Sequence, residues 1–150
     1  MALSLSFEPV VAADFEDLFA LRMEAMRESL LRIGLGDPQR SRERFAGQFD
    51  PLWMQHILRD GDRIGFVQLR PAGDHLHLDN LYVRPGLQGA GVGAWALNWA
   101  KDVAREHRQD LTLNALKQSD SNRFYQRHGF VAESEQEFDI QYRWRCEAAE

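Results

Sequence analysis

Residues 88–93 form a glycine-rich run between an alternating, strand-like segment and a long amphipathic segment. Glycine has no Cβ atom, so its backbone N–H group can approach a phosphate closely. The first N–H groups of a helix have no partner within the helix and point toward a ligand. A strand that stops at Pro85, a glycine-rich turn and a helix start therefore predict a site for a phosphate or pyrophosphate group. A tight turn with close helix–strand packing is the plainer alternative.

His75, His77 and Asp79 alternate along the strand before this run, so they share one face of the predicted sheet. His-x-His is a spacing found in metal sites, but no further Cys or His is expected nearby, so we expect no metal ion. An exposed polar strand face is the plainer interpretation of the three side chains.

Hydrophobic periodicity and turn residues predict a mixed α/β chain of about seven strands and four helices, in the order β-α-α-β-β-β-α-β-α-β-β. The predicted strands are 3–7, 54–59, 64–69, 75–83, 111–115, 131–134 and 138–144. A helix capped by Asp14 ends at Gly34 and Gly36, a second spans about 37–49, a long one follows Gly91, and a short one ends at Gly129. The long helix is expected to bury the side that carries Val92, Trp95, Ala96, Trp99 and Val103.

Two sequence blocks resemble signatures of the GNAT superfamily of acyl-CoA N-acyltransferases. Residues 81–85, Leu-Tyr-Val-Arg-Pro, followed by Gln88, Gly91 and Gly93, are similar to a strand end of the type Leu-Tyr-Val-x-Pro and the pattern Gln/Arg-x-x-Gly-x-Gly/Ala. Residues 122–130 are similar to the later pattern Phe/Leu-Tyr-x-x-x-Gly-Phe. The two blocks occur in the family's order over the C-terminal half of the chain. The resemblance implies the GNAT fold, a mixed, mostly antiparallel sheet, and the predicted element order agrees with it.

The resemblance also implies acetyl-CoA as cosubstrate and assigns its contacts. Backbone amides of the glycine-rich run would hold the pyrophosphate, at Gln88, Gly89, Ala90, Gly91, Val92 and Gly93. The backbone of Leu81, Tyr82 and Val83 would pair with the pantetheine arm, and one amide there would polarise the thioester carbonyl. The hydroxyl of Tyr125 would meet the coenzyme sulfur and protonate the leaving thiolate. Packing of Tyr125 against Phe124 and Phe130 is the plainer alternative.

Two positions depart from the family pattern. Many members carry a glutamate two or three residues before the strand's tyrosine-like position, and this chain has Asp79 and Asn80 there, of which only Asp79 can take a proton. Gln118 stands where the family often has an asparagine that contacts the cofactor or its loop. We therefore keep two functions: an acetyl-CoA-dependent N-acetyltransferase that acts by direct attack of the amine, and a non-catalytic acyl-CoA-binding or sensing domain. A nucleotide-binding domain is a weaker third reading, because no second β-α-β unit supports it.

The resemblance places the acceptor amine against the first two helices. Arg22 and Glu24 offer both signs of charge there, and Trp53 offers an apolar wall. A guanidinium for a carboxylate and a carboxylate for an ammonium would suit a small amine, an amino acid or a short peptide. The same charges also fit the solvated side of a helix.

Length and composition set the remaining expectations. The chain has 150 residues, 44% of them hydrophobic and 27% charged, which predicts one domain over 1–150. A net charge of −5 argues against nucleic acid as a partner. A single cysteine, Cys146, cannot form an internal disulfide, and we find neither a signal peptide nor a membrane span. We expect a cytoplasmic protein that binds acetyl-CoA and an amine without a membrane partner, and a homodimer stays open.

Overall fold

In a computed structural model of the protein, residues 4–32, 34, 37–87 and 91–146 are described. Leu3, Gly36, Gln88, Gly89 and Ala90, which carry expectations above, lie outside the described residues. The strands are β1 Leu5–Pro9, β2 Met54–Arg59, β3 Asp62–Pro71, β4 His75–Val83, β5 Asp110–Leu116, β6 Val131–Glu135 and β7 Asp139–Trp144. The helices are α1 Phe15–Arg32, α2 Pro38–Gln48, α3 Val92–His107 and α4 Ser121–Arg127, with 3-10 turns at Ala12–Asp14 and Pro51–Trp53. The predicted order of strands and helices is confirmed.

The strands form one sheet in the order β1-β2-β3-β4-β5-β7-β6. Neighbouring strands are antiparallel except β4 and β5, which are parallel. Parallel neighbours need a crossover connection, and α3 supplies it. The start of α3 therefore lies at the carboxyl end of β4, beside the one parallel pair of the sheet.

The buried face of α3 differs from the expected one. Val92, Ala96, Ala100 and Ala104 repeat every fourth residue and are buried together with Leu97, whereas Trp95, Trp99 and Val103 are only half-buried. Small side chains on the i, i+4 row let the helix approach the sheet closely. The two tryptophans flank that row and contact Phe7, with ring centroids 4.6 and 4.7 Å apart.

Helices α1 and α2 cover the other face of the sheet. Adjacent residues of β3 show this, because Val67 packs in the α3 cluster while Phe66 packs with Leu18 and Phe45 of α1 and α2. Phe45 is fully buried, and its ring lies 5.9 Å from both the Phe49 and Phe66 rings. Phe45 and Phe49 therefore belong to the core under these helices.

A buried polar contact anchors the start of α1. Asp14 was expected as the helix N-cap, but it lies in the preceding 3-10 turn and accepts a hydrogen bond from the Val11 amide at 2.9 Å. The same carboxylate lies 2.8 Å from Nε2 of His56 and 3.3 Å from Nη1 of Arg63. Because His56 and Arg63 belong to the β2–β3 hairpin, this contact fixes α1 across the sheet.

Candidate active site

The parallel pair of strands opens into a cleft. Pairing between β4 and β5 ends at Leu78 and Leu113, whereas β4 continues to Val83 and β5 to Leu116. Strands that leave a ladder expose backbone N–H and C=O groups that another extended chain can pair with. The last part of β4 is therefore an edge within the sheet, available to an elongated ligand.

A β-bulge at Asp79 explains where the strands part. Gln68 of β3 pairs with Asn80 of β4, while the next β3 residue, Leu69, pairs with Leu78. Asp79 is thus an extra residue without a partner in the β3–β4 register. A bulge bends its strand and increases the local twist. The bend therefore falls directly after Leu78, the last β4 residue paired with β5.

A cavity of about 1180 Å³ occupies this cleft. Its walls come from α1 and α2 on one side, from α4 and the first residues of α3 on the other, and from the separated ends of β4 and β5. The first two helices, the end of β4, the start of α3, and α4 therefore meet at one cavity.

The described part of the glycine-rich run borders this cavity. Gly91 has φ +84°, a left-handed conformation that disfavours other residues, and it is the N-cap of α3. No atom of the described residues lies within 4 Å of a Cβ placed on Gly91, whereas a Cβ on Gly93 would meet the Phe124 ring at 3.4 Å. The side chain of Val92 is buried in the core, so only its backbone is available to a ligand. The start of α3 therefore presents backbone N–H groups to open space.

Tyr125 combines the two roles weighed from sequence. Its ring lies 5.3 Å from that of Phe124 and 5.8 Å from that of Phe130, yet it also lines the cavity. Burial raises the pKa of its hydroxyl well above the ordinary value, and the nearby phenol of Tyr82 raises it further. Among the described residues, none is hydrogen-bonded to this hydroxyl. Tyr125 therefore places a phenol hydroxyl with a raised pKa at the cavity wall.

The expectation that His75, His77 and Asp79 form an exposed polar face is wrong for the last two. The side chain of Asp79 is only 5% exposed, and its carboxylate is held by Arg70, with Nε 2.5 Å from Oδ2 and Nη2 3.2 Å from Oδ1. His77 is 14% exposed and its Nε2 lies 3.7 Å from Oδ1 of Asp79. Both side chains line the cavity. Two titratable groups are therefore enclosed where the strands part.

Hydrogen bonding orients the imidazole of His77. Its Nδ1 lies 2.7 Å from Oγ1 of Thr112, whose hydroxyl donates to the carbonyl of Leu76 at 3.5 Å. The direction of this bond depends on the tautomer of the ring, and the contact with Thr112 turns the Nε2 side of the imidazole toward Asp79. Burial lowers the pKa of His77 below its usual value, although the Asp79 carboxylate opposes that shift. A neutral imidazole with a free lone pair can accept a proton.

Two of the sequence-selected residues support the sheet and the loops around the cavity. Asn80 is buried, and its Nδ2 donates to Oε1 of Gln68 at 2.6 Å, while Nε2 of Gln68 donates to the carbonyl of Gln48 at 2.6 Å. Gln118 is exposed, has φ +66°, and accepts a hydrogen bond from Arg32 through its carbonyl. Asn80 thus joins β4 to α2, and Gln118 joins the loop before α4 to the end of α1.

The residues expected at the acceptor side divide into two groups. Arg22 and Glu24 both line the cavity, with Arg22 buried and Glu24 exposed. Trp53 is 37% exposed in the second 3-10 turn and is not among the described residues that line the cavity. Sequence reasoning missed Asp139 at the start of β7, which also lines the cavity and has a buried oxygen without a partner. No local signal marks that residue, because its position depends on the pairing of β7 with β5.

A mixed sheet that opens between its two parallel strands, beside a helix that starts at glycine, forms a cleft for an elongated, anionic ligand. The acetyltransferase (GNAT) family model matches residues 15–130, and the chain belongs to this family. It is therefore an acyltransferase of the N-acetyltransferase type. In the described part of the chain, no group of three or more His, Cys, Asp or Glu could hold a metal ion, and no helix is long and apolar enough to cross a membrane.

Comparison with individual proteins agrees with this family. An aminoalkylphosphonate N-acetyltransferase of Salmonella typhimurium is 30% identical over 128 residues, which cover 78% of this chain and 79% of that protein. A PaiA N-acetyltransferase from Thermoplasma acidophilum, solved in complex with coenzyme A, has a TM-score of 0.77 at 16% identity, covering 95% of this chain and 99% of its own. An acetyltransferase from Thermus thermophilus has a TM-score of 0.73 at 18% identity, with 94% and 96% covered. The two structures share the fold.

Proposed function

We propose that the protein transfers an acetyl group from acetyl-CoA to the primary amine of a small molecule or peptide, by direct attack of the amine. The observation that carries this proposal is the position of Tyr125, which is buried and lines the same cavity as the part of β4 beyond its pairing with β5. A domain that only bound an acyl-CoA would not need a proton donor at that wall. Acetyl-CoA would supply the activated thioester, and the chain would supply orientation and proton transfer.

The described residues fit a coenzyme A. Gly91 and Gly93 border the cavity at the start of α3, where backbone N–H groups suit a pyrophosphate. The backbone of Leu81 and Tyr82 lies on the part of β4 beyond its pairing with β5, where an extended pantetheine arm can add like a strand. We assign no cofactor contact to the exposed side chain of Gln118.

Tyr125 is proposed to donate a hydrogen bond to the departing thiolate. Its raised pKa keeps the phenol protonated throughout the working pH range of the enzyme. A thiol has a pKa of about 8.5, so complete transfer from so weak an acid is uphill. Stabilisation of the developing negative charge by a directed hydrogen bond requires no complete transfer.

The Asp79–His77 pair is proposed to take the proton from the amine. Both oxygens of Asp79 are engaged by Arg70, so we assign the proton acceptor to Nε2 of His77, in the tautomer that carries its proton on Nδ1. At 3.7 Å from that nitrogen, the Asp79 carboxylate stabilises the imidazolium once it forms. Asp79 thus keeps a role in the base, through His77.

Release of free thiol from acetyl-CoA across a panel of amines tests the function. Because the relative from Salmonella is named for aminoalkylphosphonates, these come first, followed by amino acids, simple alkylamines and short peptides. Thiol release with any acceptor excludes the binding-only alternative. Tight acetyl-CoA binding without turnover on the whole panel would support that alternative.

The cofactor site is tested with Gly91→Asp, which adds a negative charge where the pyrophosphate is expected. Gly73→Asp is the matched control, because Gly73 also has positive φ (+78°) and free space around its Cβ position, in the turn before β4. Both variants carry the same backbone strain, on the order of 1–2 kcal/mol. We expect calorimetry to show loss of acetyl-CoA binding only for Gly91→Asp. Equal affinity in the two variants would refute the assignment.

A further inference from the structure

Arg22 is a buried cation whose guanidinium is largely unpartnered. The residue is 6% exposed, and its Nε and Nη1 atoms are buried without a hydrogen-bond partner. No ion pair or hydrogen bond joins it to another residue in the described ranges. Arginine stays protonated in proteins, so it cannot escape this situation by losing its charge. A buried, unpaired charge is costly and is retained where a ligand completes it.

The surroundings of Arg22 compensate the charge only in part. Its Cζ lies 5.7 Å from the centroid of the Phe45 ring and 5.9 Å from that of the Tyr82 ring. Aromatic rings attract the cation, but they accept none of its directed hydrogen bonds. They also hold the planar group in place, so it is oriented before a ligand arrives. The other cavity arginines with assigned contacts differ, because Arg70 is paired with Asp79 and Arg32 donates to the carbonyl of Gln118.

The position of Arg22 places an anion close to the reacting groups. It contacts the Tyr82 ring and lines the cavity that Tyr125 and His77 also line. The cavity wall also contains Asp139, whose Oδ1 is buried without a partner and can accept a hydrogen bond from an ammonium group. Among the described residues that line the cavity, the fully buried side-chain atoms without a partner are thus donors on Arg22 and an acceptor on Asp139.

We infer that the acceptor is a short amine that carries an oxyanion, a phosphonate or a carboxylate, and that Arg22 binds this oxyanion. This inference rests on the proposed acetyl transfer and names the substrate class of the same site. Arg22 is then a specificity-determining residue, whereas Glu24 is exposed and needs no ligand. The oxyanion bound by Arg22 could instead be a carboxylate on the acyl group of the CoA donor. The experiment below distinguishes an oxyanion on the amine from one on the acyl group.

The test compares matched amines in wild type, Arg22→Met and Arg22→Lys. We measure kcat/KM for 2-aminoethylphosphonate and β-alanine, each relative to propylamine. Loss of a charge-assisted hydrogen bond costs about 1.5–3 kcal/mol, so Arg22→Met should reduce the preference for the anionic amines by about 10- to 150-fold. Arg22→Lys should retain part of it, because lysine keeps the charge without the planar fork. Arg40→Met removes an exposed arginine of α2 outside the cavity and should leave the preference as it is.

The donor is varied in a second arm, with succinyl-CoA against acetyl-CoA. Suppose that Arg22→Met changes the ratio of kcat/KM for succinyl-CoA and acetyl-CoA and leaves the ratio for anionic and neutral amines as it is. That result assigns the oxyanion to the acyl group and overturns the inference. Equal losses for anionic and neutral amines also overturn it, because Arg22 then acts only on packing. Absence of thiol release with every amine in wild type is a failure of the proposed function instead.

A third arm needs no turnover. With saturating CoA present to fill the pyrophosphate site, methylphosphonate should raise the melting temperature of wild type and of Arg40→Met, but not of Arg22→Met. In the absence of anions, Arg22→Met should melt at the same or a higher temperature than wild type, because it removes an uncompensated buried charge. An equal shift by methylphosphonate in all three proteins, or a large loss of stability in Arg22→Met alone, contradicts an anion site at Arg22.

Discussion

Gly65 of β3 packs directly against the backbone at the end of β4, and Gly65→Ala tests whether this contact positions β4. Gly65 of β3 pairs with Val83 of β4. A Cβ added there would come within 3.0 Å of the Tyr82 carbonyl oxygen and lie 3.2 Å from Cα of Val83. Both contacts are with backbone, so neither can be relieved by a side-chain rotation. The strand itself has to move, and it is the strand expected to pair with pantetheine.

The size of the effect follows from the kind of clash. One added methyl group that forces a backbone shift costs about 1–3 kcal/mol. For a chain of this length, each kcal/mol lowers the melting temperature by about 2–4 °C, so a loss of about 2 kcal/mol lowers it by about 4–8 °C. Because the movement falls on residues 82 and 83, the affinity for acetyl-CoA should fall as well.

Gly47→Ala is the matched control, since no atom lies within 4 Å of its Cβ position and it sits inside α2. Glycine destabilises a helix interior by about 0.5–1 kcal/mol relative to alanine, so this variant should gain stability. Urea denaturation measures both free energies, and calorimetry measures acetyl-CoA binding. Gly65→Ala with wild-type stability and wild-type affinity would show that the β3–β4 approach does not position the cleft.

Three further predictions concern protonation and proton transfer. Tyr125→Phe should lower kcat by about 10²-fold with a smaller change in KM for acetyl-CoA, and unchanged kcat in steady-state assays would return Tyr125 to a packing role. His77→Gln should lower kcat and remove the fall of kcat/KM at acid pH. In wild type we expect that fall below pH 6.5, because burial lowers the pKa of His77. If the variant still shows it, His77 is not the base. The Val11 amide lowers the pKa of Asp14 below 3.8, with help from His56 and Arg63. Chemical denaturation should therefore show the full loss of unfolding free energy in Asp14→Asn at neutral pH, and this loss should vanish as the pH falls through the lowered pKa of Asp14.

The order of elements was predictable because each boundary has a local cause. Asp60 and Gly61 both have positive φ and make the turn between β2 and β3, as the Asp-Gly pair predicts. Asp37 caps α2 through its side chain, with Pro38 at the first helical position. The buried face of α3 was harder, since alanine at 100 and 104 contributes little to an apolar pattern while Trp95 and Trp99 dominate it. Close packing favours the small residues, so the large ones lie at the flanks.

The sequence predicts the backbone geometry of the site where a motif defines it, but not the surroundings of its side chains. Gly91 marks the start of α3, and its positive φ accounts for a glycine there. What surrounds a side chain depends on strands that are distant in sequence. Asp79 was chosen as a base without knowledge that Arg70 would hold it, and His77 was considered only as a metal ligand. The unpartnered state of Arg22 likewise depends on Phe45 and Tyr82, which approach it from two other elements.

The bulge at Asp79 affects both the backbone edge proposed for acetyl-CoA and the side chains proposed to surround the amine. In a regular strand, residues 76, 78, 80 and 82 would share one face, and Asn80 and Tyr82 would enter the apolar α3 cluster that contains Leu76 and Leu78. One extra residue shifts the alternation, so Tyr82 joins the α1 and α2 cluster. Leu81 turns to the α3 side instead.

The same shift sets the surroundings of the substrates. It places the Tyr82 ring against Arg22 and leaves His77 and Asp79 in the cavity wall, so an anionic amine and its base would meet on one face. It also bends β4 away from β5, which frees the backbone edge for the donor. A single inserted residue in β4 thus separates the strands for one substrate and arranges the side chains for the other.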